Sequence, residues 1–165
     1  MMTPSEFARL MDSYGPPLIL YARQWCATPE DVVQEAFVKL VALAQGPRDV
    51  VAWLYRVVRN GAIDAGRADR GRQRRESAVA RPERWFIEPA VDGLDADEAV
   101  AALERLPIEQ REVIVARLWG KLNFEQIAET AGCSASTAFR RFDAGIEALR
   151  KELGLPCPTT PSPNN

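Results

Sequence analysis

Apolar residues recur at intervals of three and four along most of this chain, and the segments with that spacing begin and end with residues typical of helix termini. The stretch TPSE at residues 3–6 has the pattern of a capping box with proline in the first turn, and TPED at residues 28–31 is a second signal of the same type. No segment alternates apolar and polar residues as a half-buried strand does. The pattern therefore predicts an all-α protein.

Breaks in the helical pattern divide the chain into two small helical domains. Residues 1–76 hold three predicted helices, with a kink or restart expected at residues 15–17 (GPP) and a third helix that begins near Asp49 and fades into an arginine-rich stretch at 59–76. The second helix carries an apolar stripe of Val32, Val33, Ala36, Phe37, Leu40 and Val41. Residues 77–94 show no period and predict a linker, residues 95–154 are helical again, and the proline-rich residues 155–165 predict a disordered tail.

Residues 123–154 have the pattern of a helix-turn-helix. Ala128 and Ala138 are small enough for two helices to touch, and Gly132 lets the chain turn between them. A helical hairpin used only for packing would show the same pattern. If the second helix enters a DNA major groove, the side chains that would face the duplex are those of its first turns, Ser136, Thr137, Phe139, Arg140 and Arg141. For Phe139, a thymine-methyl contact and simple packing both stay open.

The formal net charge of −2 hides a strong segregation of charge along the chain. Residues 56–84 carry nine arginines against four carboxylates, whereas residues 85–112 carry two arginines against eight carboxylates. Such asymmetry is expected when one face meets phosphate and other surfaces meet protein. A solvated helix end is the simpler interpretation of the arginine stretch.

The amino-acid composition argues against the common kinds of catalytic site and metal site. The chain has no histidine, which excludes Ser-His-Asp and Cys-His catalysis and the usual zinc motifs, and it has no glycine-rich phosphate loop. Cys26 and Cys133 are interpreted as small buried hydrophobic residues. We expect no catalytic residue, metal, cofactor or small-molecule substrate. No apolar run approaches the roughly 20 residues of a membrane span, and no secretory signal is evident, so a cytoplasmic location is expected.

Two stretches together resemble the sigma factors of bacterial RNA polymerase. PEDVVQEAFVKL and AWLYRVVRNGAIDAGR resemble their second conserved region, and LPIEQREVIVARLWGKLNFEQIAETAGCSASTAFRRFDAGIEALRKEL resembles their fourth. Two regions joined by a short linker are the architecture of the extracytoplasmic-function (ECF) group of the sigma-70 family. Ala138, Phe139 and Ala144 depart from the family pattern, which affects the minus-thirty-five sequence that this chain would read.

The resemblance implies a function in transcription initiation, with RNA polymerase core and promoter DNA as partners. It implies that the first domain binds core polymerase through Asp31, Gln34, Glu35 and Phe37. It implies that the third helix holds the melted minus-ten element through Asn60, Asp64, Arg67 and Arg70, and that the helix-turn-helix reads the minus-thirty-five element. An anti-sigma protein is a further partner that the resemblance leaves open.

Two other functions remain as alternatives. A stand-alone DNA-binding regulator would use only the helix-turn-helix and would bind its operator tightly without polymerase. A helical interaction protein would sequester a partner and never touch DNA. An enzyme is the remaining possibility, although no nucleophile–base set supports it.

Overall fold

The computed structural model of the chain describes residues 3–73 and 96–156. These residues form seven α-helices and no strand, which confirms the all-α expectation. The N-terminal unit contains α1 (Pro4–Ala22), α2 (Pro29–Ala42) and α3 (Val50–Gln73). The C-terminal unit contains α4 (Ala96–Arg105), α5 (Ile108–Leu118), α6 (Phe124–Ala131) and α7 (Ala135–Glu152).

The prediction of a restart at residues 15–17 is wrong, because α1 runs through Pro16 and Pro17 as one helix. Each proline removes an N–H that would have bonded to the carbonyl four residues earlier. Those carbonyls belong to Asp12 and Ser13, which are exposed, so water can take the missing bonds. The next turn of α1 is packed into the core through fully buried side chains, those of Leu18, Tyr21 and Ala22.

The apolar stripe of α2 is buried as predicted except at Val41, whose side chain is largely exposed. Val41 lies in the last turn of α2, where it lines a surface groove between α1 and α2. The inward side of α2 packs against both α1 and α3.

The third helix does not fade where the arginine-rich stretch begins but continues through most of it to Gln73. Arginine and alanine favour helix, and two i,i+3 ion pairs, Asp64–Arg67 and Asp69–Arg72, lie along this part of α3. At Gly66 the helix passes so close to the preceding loop that an added Cβ would lie 2.0 Å from the Trp25 carbonyl oxygen. A residue without a side chain is therefore required there.

Close packing of α5 and α7 organises the C-terminal unit. The two helices approach at Gly145, where an added Cβ would lie 2.7 Å from Cδ1 of Ile114. The mid-helix glycine, unfavourable for an isolated helix, is thus the residue that lets α7 rest on α5. Arg105 of α4 and Glu152 of α7 form an ion pair that ties the first helix of the unit to the last.

The two units share one hydrophobic core. α1 contacts α5, and α3 contacts α6. Buried residues of the N-terminal unit, such as Tyr55 and Val58, belong to the same cluster as Val113 and Ile127 of the C-terminal unit. At Gly120, an added Cβ would lie 2.5 Å from the Tyr55 hydroxyl oxygen, so the units meet here with no room for a side chain.

A buried polar group also joins the units, and we call Tyr21, Arg59 and Glu112 the interdomain cluster. The Tyr21 hydroxyl donates to Glu112 Oε1 at 2.8 Å, and the Arg59 guanidinium donates to both carboxylate oxygens. Burial, and then the Glu112 carboxylate, raise the pKa of Tyr21 far above its ordinary value. Burial lowers the pKa of Arg59, but the hydrogen bond and charge of Glu112 outweigh it, so the net shift is upward.

Two further polar contacts cross the same boundary at the surface. Gln126 Nε2 donates to Asp49 Oδ2 at 2.7 Å, and Arg56 pairs with Glu129 at 2.8 Å. Exposed pairs of this kind contribute about 0–1 kcal/mol each, so burial and the interdomain cluster dominate the contact.

Several sequence-based expectations lie outside the described residues. They are the linker at 77–94, all but the first two residues of the tail at 155–165, and the arginines at positions 74 and 75.

Candidate nucleic-acid interface

The helix-turn-helix predicted from residues 123–154 is formed by α6 and α7. Gly132 ends α6 in the left-handed conformation, with φ 68°, which glycine adopts at little cost. Ser134 then caps α7 by accepting from the Thr137 backbone N–H. Ala138 is fully buried and Ala128 nearly so, in accordance with their predicted place where the two helices touch.

The first turns of α7 present a mixed polar and apolar surface. Ser136, Phe139 and Arg140 are exposed, whereas Thr137 and Arg141 are half-buried. The Thr137 hydroxyl bonds to Ser134 at 2.9 Å and accepts from Arg140 Nη2 at 3.4 Å. Three of the five predicted side chains are therefore exposed on a helix whose N-terminal end is capped by Ser134.

The exposed Phe139 has a packed partner. Its ring meets Phe124 of α6 edge-on, with 5.4 Å between ring centroids and 81° between ring planes. Even so, 53% of Phe139 remains accessible to solvent. Both interpretations of Phe139 left open by the sequence are thus compatible with its position, since one side of the ring is packed and the other is available.

The residues expected to hold the minus-ten element share one face of α3. Asn60, Asp64, Arg67 and Arg70 are separated by four, three and three residues, and all four are exposed. Arg67 lies 3.7 Å from the Asp64 carboxylate, a weak surface pair that phosphate could replace. This face of α3 combines cations with amide and carboxylate groups.

Arg59, the first arginine of the same stretch, has a different environment from the arginines that follow. It lies half-buried against Glu112 of α5 and 5.7 Å above the Trp25 ring. The sequence groups Arg59 with the other arginines, whereas the structure makes it a contact between the units. No local signal distinguishes it, because its partner is 53 residues away.

The residues expected to bind polymerase lie on α2. Asp31, Gln34 and Glu35 are exposed on one side of the helix, and Glu35 pairs with Lys39 at 2.8 Å. Phe37 is 3% exposed and packs edge-on against Phe7 of α1. Phe37 therefore lies beneath this surface, and any part that it plays in binding is to support the exposed residues.

An apolar groove that the sequence analysis missed adjoins this face. It has a volume of about 710 Å³ and lies between α1 and α2, with Phe37 and Gln34 among the residues that line it. Its rim contains the exposed Met11, Val38 and Val41. The signal available in the sequence was Val38, which falls on the polar side of α2.

Residues 3–73 and 96–156 contain neither a cluster of metal-ligating side chains nor a membrane-spanning helix. No group of three or more histidine, cysteine, aspartate or glutamate side chains there could hold a metal ion. None of the described helices is both long and apolar enough to cross a membrane.

Comparison with family models matches the two units separately. The model described as sigma-70 region 2 matches residues 10–72, and the model described as sigma-70, region 4 matches residues 102–151. The first match covers nearly all of α1–α3 and the second covers the helix-turn-helix.

Curated relatives align with the chain across both units. The ECF RNA polymerase sigma factor SigW of Bacillus subtilis is 30% identical, over 75% of this chain and 74% of the relative. The ECF RNA polymerase sigma factor SigL of Mycobacterium tuberculosis is also 30% identical, over 88% of this chain and 89% of the relative.

Two solved structures have the same fold. The sigma factor RpoE in complex with the anti-sigma factor NepR from Bartonella quintana superposes with a TM-score of 0.73 at 24% identity, over 93% of this chain and 99% of that one. CnrH in complex with the cytosolic domain of CnrY superposes with a TM-score of 0.62 at 24% identity, over 92% and 90% of the two chains.

Proposed function

Because the chain belongs to the ECF group of sigma-70 family RNA polymerase sigma factors, we propose that its three exposed faces divide the work of promoter recognition. It binds RNA polymerase core and directs it to promoters for transcription initiation. The polar face of α2 binds core polymerase. The exposed face of α3 binds the melted minus-ten element, and the first turns of α7 bind the minus-thirty-five element. This role is binding rather than catalysis.

The observation that carries the proposal is that members of all three residue sets are exposed at the same time on separate helices. Asp31, Gln34 and Glu35 leave a polar surface on α2 next to an apolar groove, which together suit a protein partner. On α3, arginines alternate with hydrogen-bonding groups, as required to follow a phosphate backbone while holding an unpaired base. On α7, Arg140 can bond to a base edge or to phosphate.

The closed packing of the two units implies that they separate when both promoter elements are bound. The two elements lie about 25 base pairs apart, which is about 85 Å at 3.4 Å per pair. In the closed structure α3 contacts α6, and α6 contacts α7. A single helix, α6, thus links the two helices that carry the DNA-binding faces.

An anti-sigma protein is a further proposed partner, since one of the solved structures with this fold is a sigma factor in complex with an anti-sigma factor. We also propose that the protein is cytoplasmic, because RNA polymerase and chromosomal promoters lie in the bacterial cytoplasm.

The test is a fluorescence-anisotropy titration of the labelled full chain with core RNA polymerase. Replacing Asp31, Gln34 and Glu35 by alanine should weaken binding at least about tenfold, equivalent to roughly 1.4 kcal/mol. The control replaces Asp12 and Ser13, exposed on α1, and should bind as the wild type does.

The same titration separates the alternatives. The proposal would be contradicted if the folded wild-type chain did not bind core polymerase but bound a DNA site on its own. That result would favour a stand-alone regulator. Core binding that the triple replacement leaves unchanged would remove α2 from the polymerase interface.

A further inference from the structure

Phe139 differs from the other exposed residues of α7 because its apolar ring is held from one side. Phe124, against which it packs, is itself fixed by Phe142, whose ring centroid is 5.7 Å away, and by the Arg117 guanidinium, 5.1 Å from the Phe124 centroid. Arg117 in turn donates to the Leu122 carbonyl at 2.8 Å. The ring of Phe139 therefore rests on a rigid support.

The position of Phe139 in α7 is one that reaches base edges. It is the fifth residue of the helix, and the N-terminal turns of a recognition helix are the part that enters the major groove. Ser136 and Arg140, its exposed neighbours, are polar. Phe139 is thus an apolar surface surrounded by hydrogen-bonding groups, where a purely polar contact set would be expected.

Among the four bases, only thymine presents a methyl group in the major groove. An aromatic ring cannot hydrogen-bond to a base edge, but it can bury that methyl. Resting on the proposed function, we propose that Phe139 is a specificity-determining residue that selects thymine at one position of the minus-thirty-five element by packing against its 5-methyl group. If Phe139 merely covers Phe124, binding will not depend on that methyl.

The experiment uses holoenzyme reconstituted from the full chain and core polymerase. Wild-type holoenzyme first selects its preferred sequences from duplexes randomised through the minus-thirty-five region. We expect thymine to be enriched at one position, and we expect the Phe139→Ala holoenzyme to show no preference at that position. That thymine is then replaced by deoxyuridine, which lacks only the methyl. Wild-type affinity should fall about fourfold, the fold-change for ~0.8 kcal/mol per buried carbon.

The same two duplexes are then titrated with the Phe139→Ala holoenzyme. Its affinity should be the same for the duplex with thymine and the duplex with deoxyuridine. Asp143→Ala, an exposed change one turn later in α7, is the matched control and should keep the fourfold effect. If Phe139→Ala disturbs the fold, each thymine enriched by the wild type is replaced in turn by deoxyuridine, and the wild-type holoenzyme alone shows whether any position depends on the methyl.

Selection of a minus-thirty-five sequence without a methyl-dependent thymine would overturn this inference and leave the proposed function intact. A methyl effect that persists in Phe139→Ala would also overturn it, because another side chain would then read the base. Failure of the holoenzyme to select any sequence would contradict the proposed function itself.

Discussion

Asp49 uses its two carboxylate oxygens for two structural purposes. Oδ1 accepts from the Ala52 backbone N–H at 3.0 Å and so caps the start of α3, while Oδ2 accepts from Gln126 of the other unit. The backbone bond, and then the Gln126 bond, lower the pKa of this carboxyl from its ordinary value of 3.8. One side chain thus contributes both to the start of a helix and to the contact between units.

We expect Asp49→Ala to lower the free energy of unfolding by about 1 kcal/mol at pH 7, because α3 loses its cap. Asp49→Asn is the control, since its side-chain oxygen can still accept from Ala52. Chemical denaturation of the three proteins measures the difference. An unchanged midpoint in Asp49→Ala would show that the cap is dispensable.

The same residue gives a pH dependence with a definite sign. Because its pKa is lowered in the folded state, the Asp49 carboxylate contributes its full stabilisation above the ordinary pKa. That contribution disappears as pH falls below 3.8 through the lower folded value. The uncharged Asp49→Asn variant should therefore lose less stability than the wild type over this range.

At the residue scale, helical periodicity predicted the exposure of the polar candidates on α2. It placed Asp31, Gln34 and Glu35 on the polar side of α2, and they are exposed. It could not predict the neighbour of Arg59 or of Phe139, because both partners belong to other helices. Periodicity indicates which face of a helix is apolar, but it does not indicate which residues of other helices pack against that face.

Gly66 and Gly71 of α3 allow a prediction at the scale of a helix, because they differ in how closely other atoms approach them. Gly66→Ala would place a methyl 2.0 Å from the Trp25 carbonyl oxygen, whereas nothing lies within 4 Å of a Cβ at Gly71. We expect Gly66→Ala to cost at least about 1–3 kcal/mol through overpacking. Gly71→Ala should instead stabilise by up to about 1 kcal/mol through helix propensity.

Thermal unfolding followed by circular dichroism measures both glycine variants. Opposite shifts of the melting temperature are expected. A Gly66→Ala protein as stable as the wild type would mean that α3 does not approach the loop before α2 as closely as described.

At the element scale, the number and type of helices were predictable, but continuity was not. Pro16 and Pro17 are local signals for a break, yet α1 is continuous, and the side chains of Leu18, Tyr21 and Ala22 just after them are fully buried. Conversely, the arginine-rich stretch looked like a helix end, yet α3 continues to Gln73. In α1 tertiary packing outweighed the local preference, whereas in α3 the helix propensity of arginine and alanine and two ion pairs support the continuation.

For the whole molecule, the interdomain cluster is the feature whose removal should open the structure. Glu112→Gln keeps the shape of the side chain but leaves Arg59 without its counter-charge. Removing one partner of a buried ion pair costs about 3–5 kcal/mol. We expect about 3 kcal/mol here, because 24% of the Arg59 side chain is solvent-accessible.

Small-angle scattering provides the measurement for Glu112→Gln. The radius of gyration should rise relative to the wild type while helix content stays constant. Glu152→Gln is the control, because the partner of Glu152, Arg105, belongs to the same unit. Equal radii for Glu112→Gln and wild type would show that apolar packing alone holds the units together.

The contact between the units was beyond the reach of the sequence. Glu112 occurs in the acidic segment at residues 85–112, but it is only 2% exposed. Its two partners lie 91 and 53 residues earlier in the chain. A charge pattern cannot show that one carboxylate of such a segment is buried, since that depends on which surfaces the fold brings together.

The interdomain cluster also limits how freely the two halves of this chain can be exchanged with those of its relatives. Tyr21 and Arg59 come from one half and Glu112 from the other. A chimera whose second half carries an apolar residue in place of Glu112 would leave the half-buried Arg59 guanidinium without its partner. We therefore expect an exchange of halves to be tolerated best when the donor of the second half also supplies a carboxylate at this position.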